Sequence, residues 1–141
     1  MRRRGGFTLI ELVVVVMIIG VLVAIAAPKM LNMMGEATDN AARQSLSMLR
    51  DAIERYAAQN NGNYPSGTAD EIKTALLQYL RGPFPKCPVG TGAPNDTLTV
   101  STGDPLVSDN AGGWMYNATT GEIIINSTET SQDGATTYDQ F

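Results

Sequence analysis

The chain has 141 residues and 43% apolar content, enough for one compact domain plus one accessory segment. Of its 10 basic residues three are Arg2, Arg3 and Arg4 at the extreme terminus, so the rest of the chain sets 7 basic against 14 acidic side chains, and a nucleic acid is a poor main partner. The absence of His removes the commonest general base, nucleophile partner and metal ligand, and the single Cys87 leaves no intrachain disulfide.

The first element in chain order is a basic start, MRRRGG, followed by the apolar run FTLIELVVVVMIIGVLVAIAA. That pattern suits an export signal or a membrane anchor. As a helix rising about 1.5 Å per residue, Phe7 to Ala27 would span roughly 30 Å, the hydrocarbon thickness of a bilayer. Three arginines before the run and only Lys29 just after it predict a cytoplasmic amino terminus, with the bulk of the chain across the membrane. Two features depart from an ordinary cleaved signal. The small residues Gly5 and Gly6 precede the apolar run instead of following it, and Glu11 places a carboxylate inside it. A carboxylate at membrane depth costs on the order of 3 kcal/mol on insertion scales. Two readings of Glu11 stay open on physics alone: it sits near the interface and needs no partner, or it meets a cation.

Gly6 followed by Phe7-Thr8-Leu9-Ile10-Glu11-Leu12 resembles the processing site of the type IV pilin-like family, which includes type IV pilins and the pseudopilins of type II secretion. The resemblance implies that a prepilin peptidase of the inner membrane cuts after Gly6 and methylates the new terminal amine of Phe7. It also implies that Glu11 serves subunit assembly, meeting the terminal amine of a neighbour in a staggered bundle of helices. Gly20 and Pro28 fall where many members of the family carry a helix-weakening glycine and a proline. Physically, Gly20 weakens a helix modestly and Pro28 removes a backbone donor. The motif covers residues 1 to 28, and beyond it the likeness is one of layout.

Past Pro28 the helix signals continue to about Gln59. Ala42, Leu46, Leu49, Ile53 and Tyr56 recur at intervals of 4, 3, 4 and 3, an amphipathic stripe that reads as core, with Arg43, Arg50, Asp51, Glu54 and Arg55 on the solvent side. Residues 60–67 are turn-rich. Thr68 and Glu71 form a capping-box pattern opening a second helix through about Leu80, with Ile72, Ala75, Leu76, Tyr79 and Leu80 on its buried face. Four prolines and three glycines make residues 82–96 an irregular connection. Leu98 to Ser101 reads as a short strand. Residues 113–117 and 122–126 read as a hairpin around a four-residue loop, with Trp114 and Tyr116 on one face as core. The tail from Ser127 to Phe141 is polar and acidic and reads as flexible.

These elements predict an α+β domain, a long amino-terminal helix packed on a short helix and a small antiparallel sheet. The expected organisation is a leader at 1–6, a transmembrane and filament-core helix at 7–28, and an extracytoplasmic domain at 29–141. With one Cys, the layout resembles a type II secretion major pseudopilin more than a disulfide-closed pilin. Members of that group often carry a calcium loop, which here draws attention to the oxygen ligands of Asp104, Ser108, Asp109 and Asn110, and after them to Asp133 and Asp139. The rival reading of those residues is a solvated Asp/Asn turn. Cys87 reads as a structural thiol, and Asn95, Asn117 and Asn126 head tripeptides of the glycosylation type that arise easily in an Asn/Thr-rich chain.

No catalytic or cofactor-binding residue is expected. The resemblance implies a filament subunit, with prepilin peptidase, copies of itself and other pilin-like subunits, inner-membrane assembly machinery and the lipid bilayer as partners. The alternatives are a type IV pilus subunit, for adhesion, motility or DNA uptake, and a single-span anchor for a binding domain that does not assemble.

Overall fold

A computed structural model describes residues 7–141, apart from the side chains of residues 31 and 32. Two compact units divide the chain, residues 1–34 and residues 35–141. A helix, α1 (Leu9–Gln59), contributes to both.

In the first unit α1 carries the apolar run, long and apolar enough to cross a membrane, with none of its most apolar stretch buried. Phe7, Leu9 and Ile10 are exposed, as are Val13 to Ile19 and Val21 to Val23. Such an all-round apolar surface is what lipid or a bundle of like helices would cover.

The second unit begins at Gly35. Ala42, Leu46, Leu49 and Ile53 of α1 are buried as the periodicity predicts, joined by Ala52 and Ala57, and Tyr56 packs partly buried beside them. The helix ends where Asn61 turns left-handed at φ 57° and the Gly62 N–H reaches back to the Ala57 carbonyl at 2.8 Å, a Schellman-type closure. The second helix, α2 (Ala69–Leu77), starts in the expected capping box and buries Ile72 and Leu76. It stops one turn before the predicted Leu80. Tyr79 and Leu80 bond only to the third carbonyl back, at 2.9 and 3.2 Å, and leave the helix half-buried against the core.

The sheet holds β1 (Leu98–Ser101), β2 (Trp114–Asn117) and β3 (Ile123–Ile125) in that spatial order. The predicted hairpin is present, with Trp114 opposite Ile125 and Tyr116 opposite Ile123. The expectation of a wholly antiparallel sheet is corrected, because β1 runs parallel to β2 with Leu98 beside Trp114 and Val100 beside Tyr116. Parallel neighbours need a crossover of about a dozen residues, and residues 102–113 supply it. The layout is α+β, as in pilins. Trp114, Tyr116, Ile123 and Ile125 join the α1 and α2 side chains in the main core, while Met115 and Ile124 make a second small cluster with Leu106 on the other face.

Residues 127–141 are folded, contrary to the flexible tail that their composition predicts. Thr130 and Thr137 pair, residues 138–140 form a short 3-10 helix, and Ser131 and Tyr138 are buried. The anchor is Asp39 of α1, a buried carboxylate that accepts the Tyr138 hydroxyl at 2.7 Å and the Gln132 N–H at 2.8 Å. Arg43 stacks its guanidinium over the Phe141 ring, and Arg50 donates to the carbonyls of Phe141 and Ile123 at 3.1 and 3.3 Å. Two arginines placed by their spacing on the solvent side thus grip the tail.

Candidate functional site

Thr8 and Glu11 form a capping box at the head of α1. The Thr8 N–H and hydroxyl each donate to Glu11 Oε2 at 2.8 Å, and the Glu11 N–H donates to Thr8 Oγ1 at 3.3 Å. This is the same reciprocal arrangement that opens α2, where Thr68 and Glu71 share bonds of 2.7, 2.9 and 3.4 Å. Among the described residues both bonds of the cap to the Glu11 carboxylate use Oε2, and Oε1 takes no part in it. Thr8 is the residue that the sequence reading missed. The signal was available, since Thr-x-x-Glu was read as a cap at residue 68 and recurs at residue 8.

Phe7 lies just outside the helix and is 83% exposed, open to an enzyme or to a neighbouring chain. Gly6, the expected cleavage residue, lies outside the described residues, as do Arg2, Arg3 and Arg4. Gly20 and Pro28 both lie within the continuous helix. Pro28 has no N–H to give the Ala24 carbonyl, and a Cβ on Gly20 would meet nothing within 4 Å, so the glycine is not there to make room for this chain's own side chains.

The candidate calcium ligands meet protein donors. Asp109 Oδ1 accepts Asn126 Nδ2 at 2.7 Å and the Ala111 N–H at 3.0 Å, and these bonds hold the carboxyl below its ordinary range, the Ala111 bond most. Ser108 Oγ donates to Asn126 Oδ1 at 2.9 Å, and Asn110 Oδ1 accepts the N–H and hydroxyl of Thr128 at 2.7 and 2.9 Å. Asp104 takes no part in these bonds. Asp133 Oδ1 accepts the Ser131 hydroxyl at 2.6 Å and the N–H groups of Ala135 and Thr136 at 2.8 and 3.1 Å, which close a tight turn. Asp139 accepts the Thr137 hydroxyl. Among the described residues no three Cys, Asp or Glu side chains converge as metal ligands would.

The remaining candidates are structural. Cys87 is fully buried, its thiol pushed up by desolvation and donating to the Val89 carbonyl at 3.4 Å. Trp114 Nε1 donates to the Pro85 carbonyl at 3.0 Å, and the Tyr116 hydroxyl donates to the Pro65 carbonyl at 3.0 Å. The aromatic face of β2 therefore lies in the core and pins both proline-bearing loops. Asn117 and Asn126 are buried as well.

Residues 1–27 match the family model described as the prokaryotic N-terminal methylation motif. The chain carries a prepilin-type amino terminus. It is similar to type II secretion system core protein G of Pseudomonas aeruginosa, 32% identical over 85 residues, or 60% of this chain and 58% of that protein. The core protein G of Vibrio cholerae is 34% identical over 86 residues, 61% of this chain and 57% of its own length. Fimbrial protein EcpB of Eikenella corrodens is 37% identical over 81 residues, 57% of this chain and 48% of its own length. The chain thus spans about half or a little more of the length of the curated relatives it matches. No solved structure matches it. The resemblance to type IV pilin-like proteins, and to type II secretion pseudopilins in particular, agrees with these similarities.

Proposed function

We propose that this chain is a structural subunit of a pilin-like filament, of the kind built as a pseudopilus in type II secretion, and not an enzyme. The observation that carries the reading is Gly6 followed by Phe7-Thr8-Leu9-Ile10-Glu11, within the segment that matches the methylation motif and at the head of an apolar helix. A prepilin peptidase cuts after Gly6 and methylates the Phe7 amine. Before assembly the helix sits in the cytoplasmic membrane, with the arginines inside and the domain of residues 29–141 outside.

The Thr8–Glu11 cap supports a specific division of labour within the carboxylate. Oε2 is held by Thr8, which fixes the side chain, and Oε1 is the atom offered to the Phe7 ammonium of a neighbouring subunit. An unpaired ion in a low-dielectric helix bundle is costly and a paired one is tolerated, so this contact rejects wrong registers more than it adds net stability. Each subunit gives one surface and accepts another, and such a heterologous contact continues into a filament. The inner-membrane machinery adds subunits at the base, which pushes exported protein outward. Gly20 and Pro28 let the helix between them loosen as it leaves lipid for the filament.

A type IV pilus subunit is the second reading, favoured by the similarity to the fimbrial protein. Either filament requires Glu11. Glu11→Ala in the native host should leave membrane insertion unchanged and abolish filaments seen by electron microscopy. Filaments of normal number and length in that variant would remove the proposed pairing and favour a single-span anchor.

A further inference from the structure

We infer that the crossover between β1 and β2 is closed by the Asn126 carboxamide and takes no calcium ion. Asn126 is fully buried at the end of β3, and three groups of the crossover converge on it. Its Oδ1 accepts the Ser108 hydroxyl at 2.9 Å and the Asp109 N–H at 3.1 Å, and its Nδ2 donates to Asp109 Oδ1 at 2.7 Å. The orientation of the amide is fixed by chemistry. A backbone N–H can only donate and an ionised carboxylate can only accept, so the oxygen must face the first and the NH2 the second.

The donor set does not suit calcium, which wants six to eight oxygens at about 2.3–2.6 Å converging on one point. Here the space beside Asp109 Oδ1 holds an N–H proton, and the same oxygen also accepts the Ala111 N–H at 3.0 Å. Ser108 Oγ accepts the Asn110 N–H at 3.2 Å while it donates to Asn126, and Asn110 Oδ1 is turned to Thr128. Asp109 is the one carboxylate in the network. The carboxamide supplies a donor as well as an acceptor to the loop, and a cation could replace only one side of that exchange.

The test is thermal unfolding of the full chain in neutral detergent, with millimolar calcium against a chelator. The parent protein should unfold at the same temperature in both, and a saturable rise with calcium would overturn the inference, since a ligand of the native state must raise it. Asn126→Asp replaces the NH2 with an oxygen against Asp109, so in chelator it should unfold about 5 °C or more below the parent. An unchanged unfolding temperature in that variant would also overturn the inference. Should Asn126→Asp fail to fold, Ser108→Ala removes one donor at an accessible position. It should lower the unfolding temperature by a few degrees, equally with and without calcium. No loss in Ser108→Ala, or a loss that calcium restores, contradicts closure by the carboxamide.

Discussion

Asp39 lies three residues before Ala42 on the buried stripe of α1, where the pattern alone calls for an apolar side chain. Its carboxylate instead collects a hydroxyl and an N–H from residues more than ninety positions away in the chain. Charge-assisted bonds of this kind contribute about 1.5–3 kcal/mol, and removing the acceptor also strands two donors. Asp39→Ala should therefore lower stability by about 2–3 kcal/mol, and Tyr138→Phe by about 1 kcal/mol, in urea unfolding of the full chain in detergent. Two side chains of the tail also set a pH dependence. The Ser131 hydroxyl and the Ala135 and Thr136 N–H groups pull the Asp133 carboxyl down to about 2 from an ordinary 3.8. A carboxyl depressed in the fold favours the folded chain above its unfolded value and loses that effect as pH falls through its folded value. Unfolding temperatures measured from about pH 4 down to about pH 2 should fall less steeply in Asp133→Asn than in the parent. Burial, and then the bond to Asp39, push the Tyr138 phenol up to about 12 from 10. For a raised phenol the sign reverses, and its contribution is complete below pH 10 and lost between about 10 and 12. The methylation motif that contains Phe7 and Glu11 was legible because its residues are neighbours in the chain. Asp39 was not, because nothing within a helical turn reveals partners so distant in the chain.

At the scale of elements, periodicity identified what local sequence determines. The stripe of α1 and the capping box of α2 follow from residues three and four apart, and the hairpin follows from alternation around a turn. Leu46, buried in that stripe, should cost about 2–5 kcal/mol when cut to Ala, while the exposed Met48 beside it should cost under about 0.5 kcal/mol, as denaturant midpoints will report. Gly121 closes the β2–β3 turn at φ 76°, and a Cβ there would run into the Tyr64 ring, so Gly121→Ala combines backbone strain with a clash. It should lower the unfolding temperature by several degrees. What periodicity could not supply was direction. The Leu98–Ser101 segment reads as a strand by composition, but its parallel pairing depends on the path of residues 102–113, and that path is held by Asn126 and Thr128. The folded tail escaped for a similar reason. Its polar composition lacks an apolar face, and its order comes from Tyr138 and from the grip of Asp39, Arg43 and Arg50.

At the scale of the whole molecule, two units with opposite surfaces share one chain. Residues 35–141 bury most of their large apolar side chains around Trp114 and Tyr116, whereas the run from Phe7 to Ile25 exposes its apolar side chains on every side. A helix with that surface requires lipid or other helices, and a subunit that passes from one to the other satisfies it at each stage. Processing is the step on which the proposed filament depends, since in that proposal cleavage after Gly6 creates the Phe7 amine that Glu11 meets. The most direct measurement is the intact mass and amino-terminal sequence of the protein recovered from the membranes of its native host. The expected result is a chain that begins at Phe7 and carries one added methyl group. A chain that retains Met1 or Arg2, with the leader intact in most molecules, would contradict it.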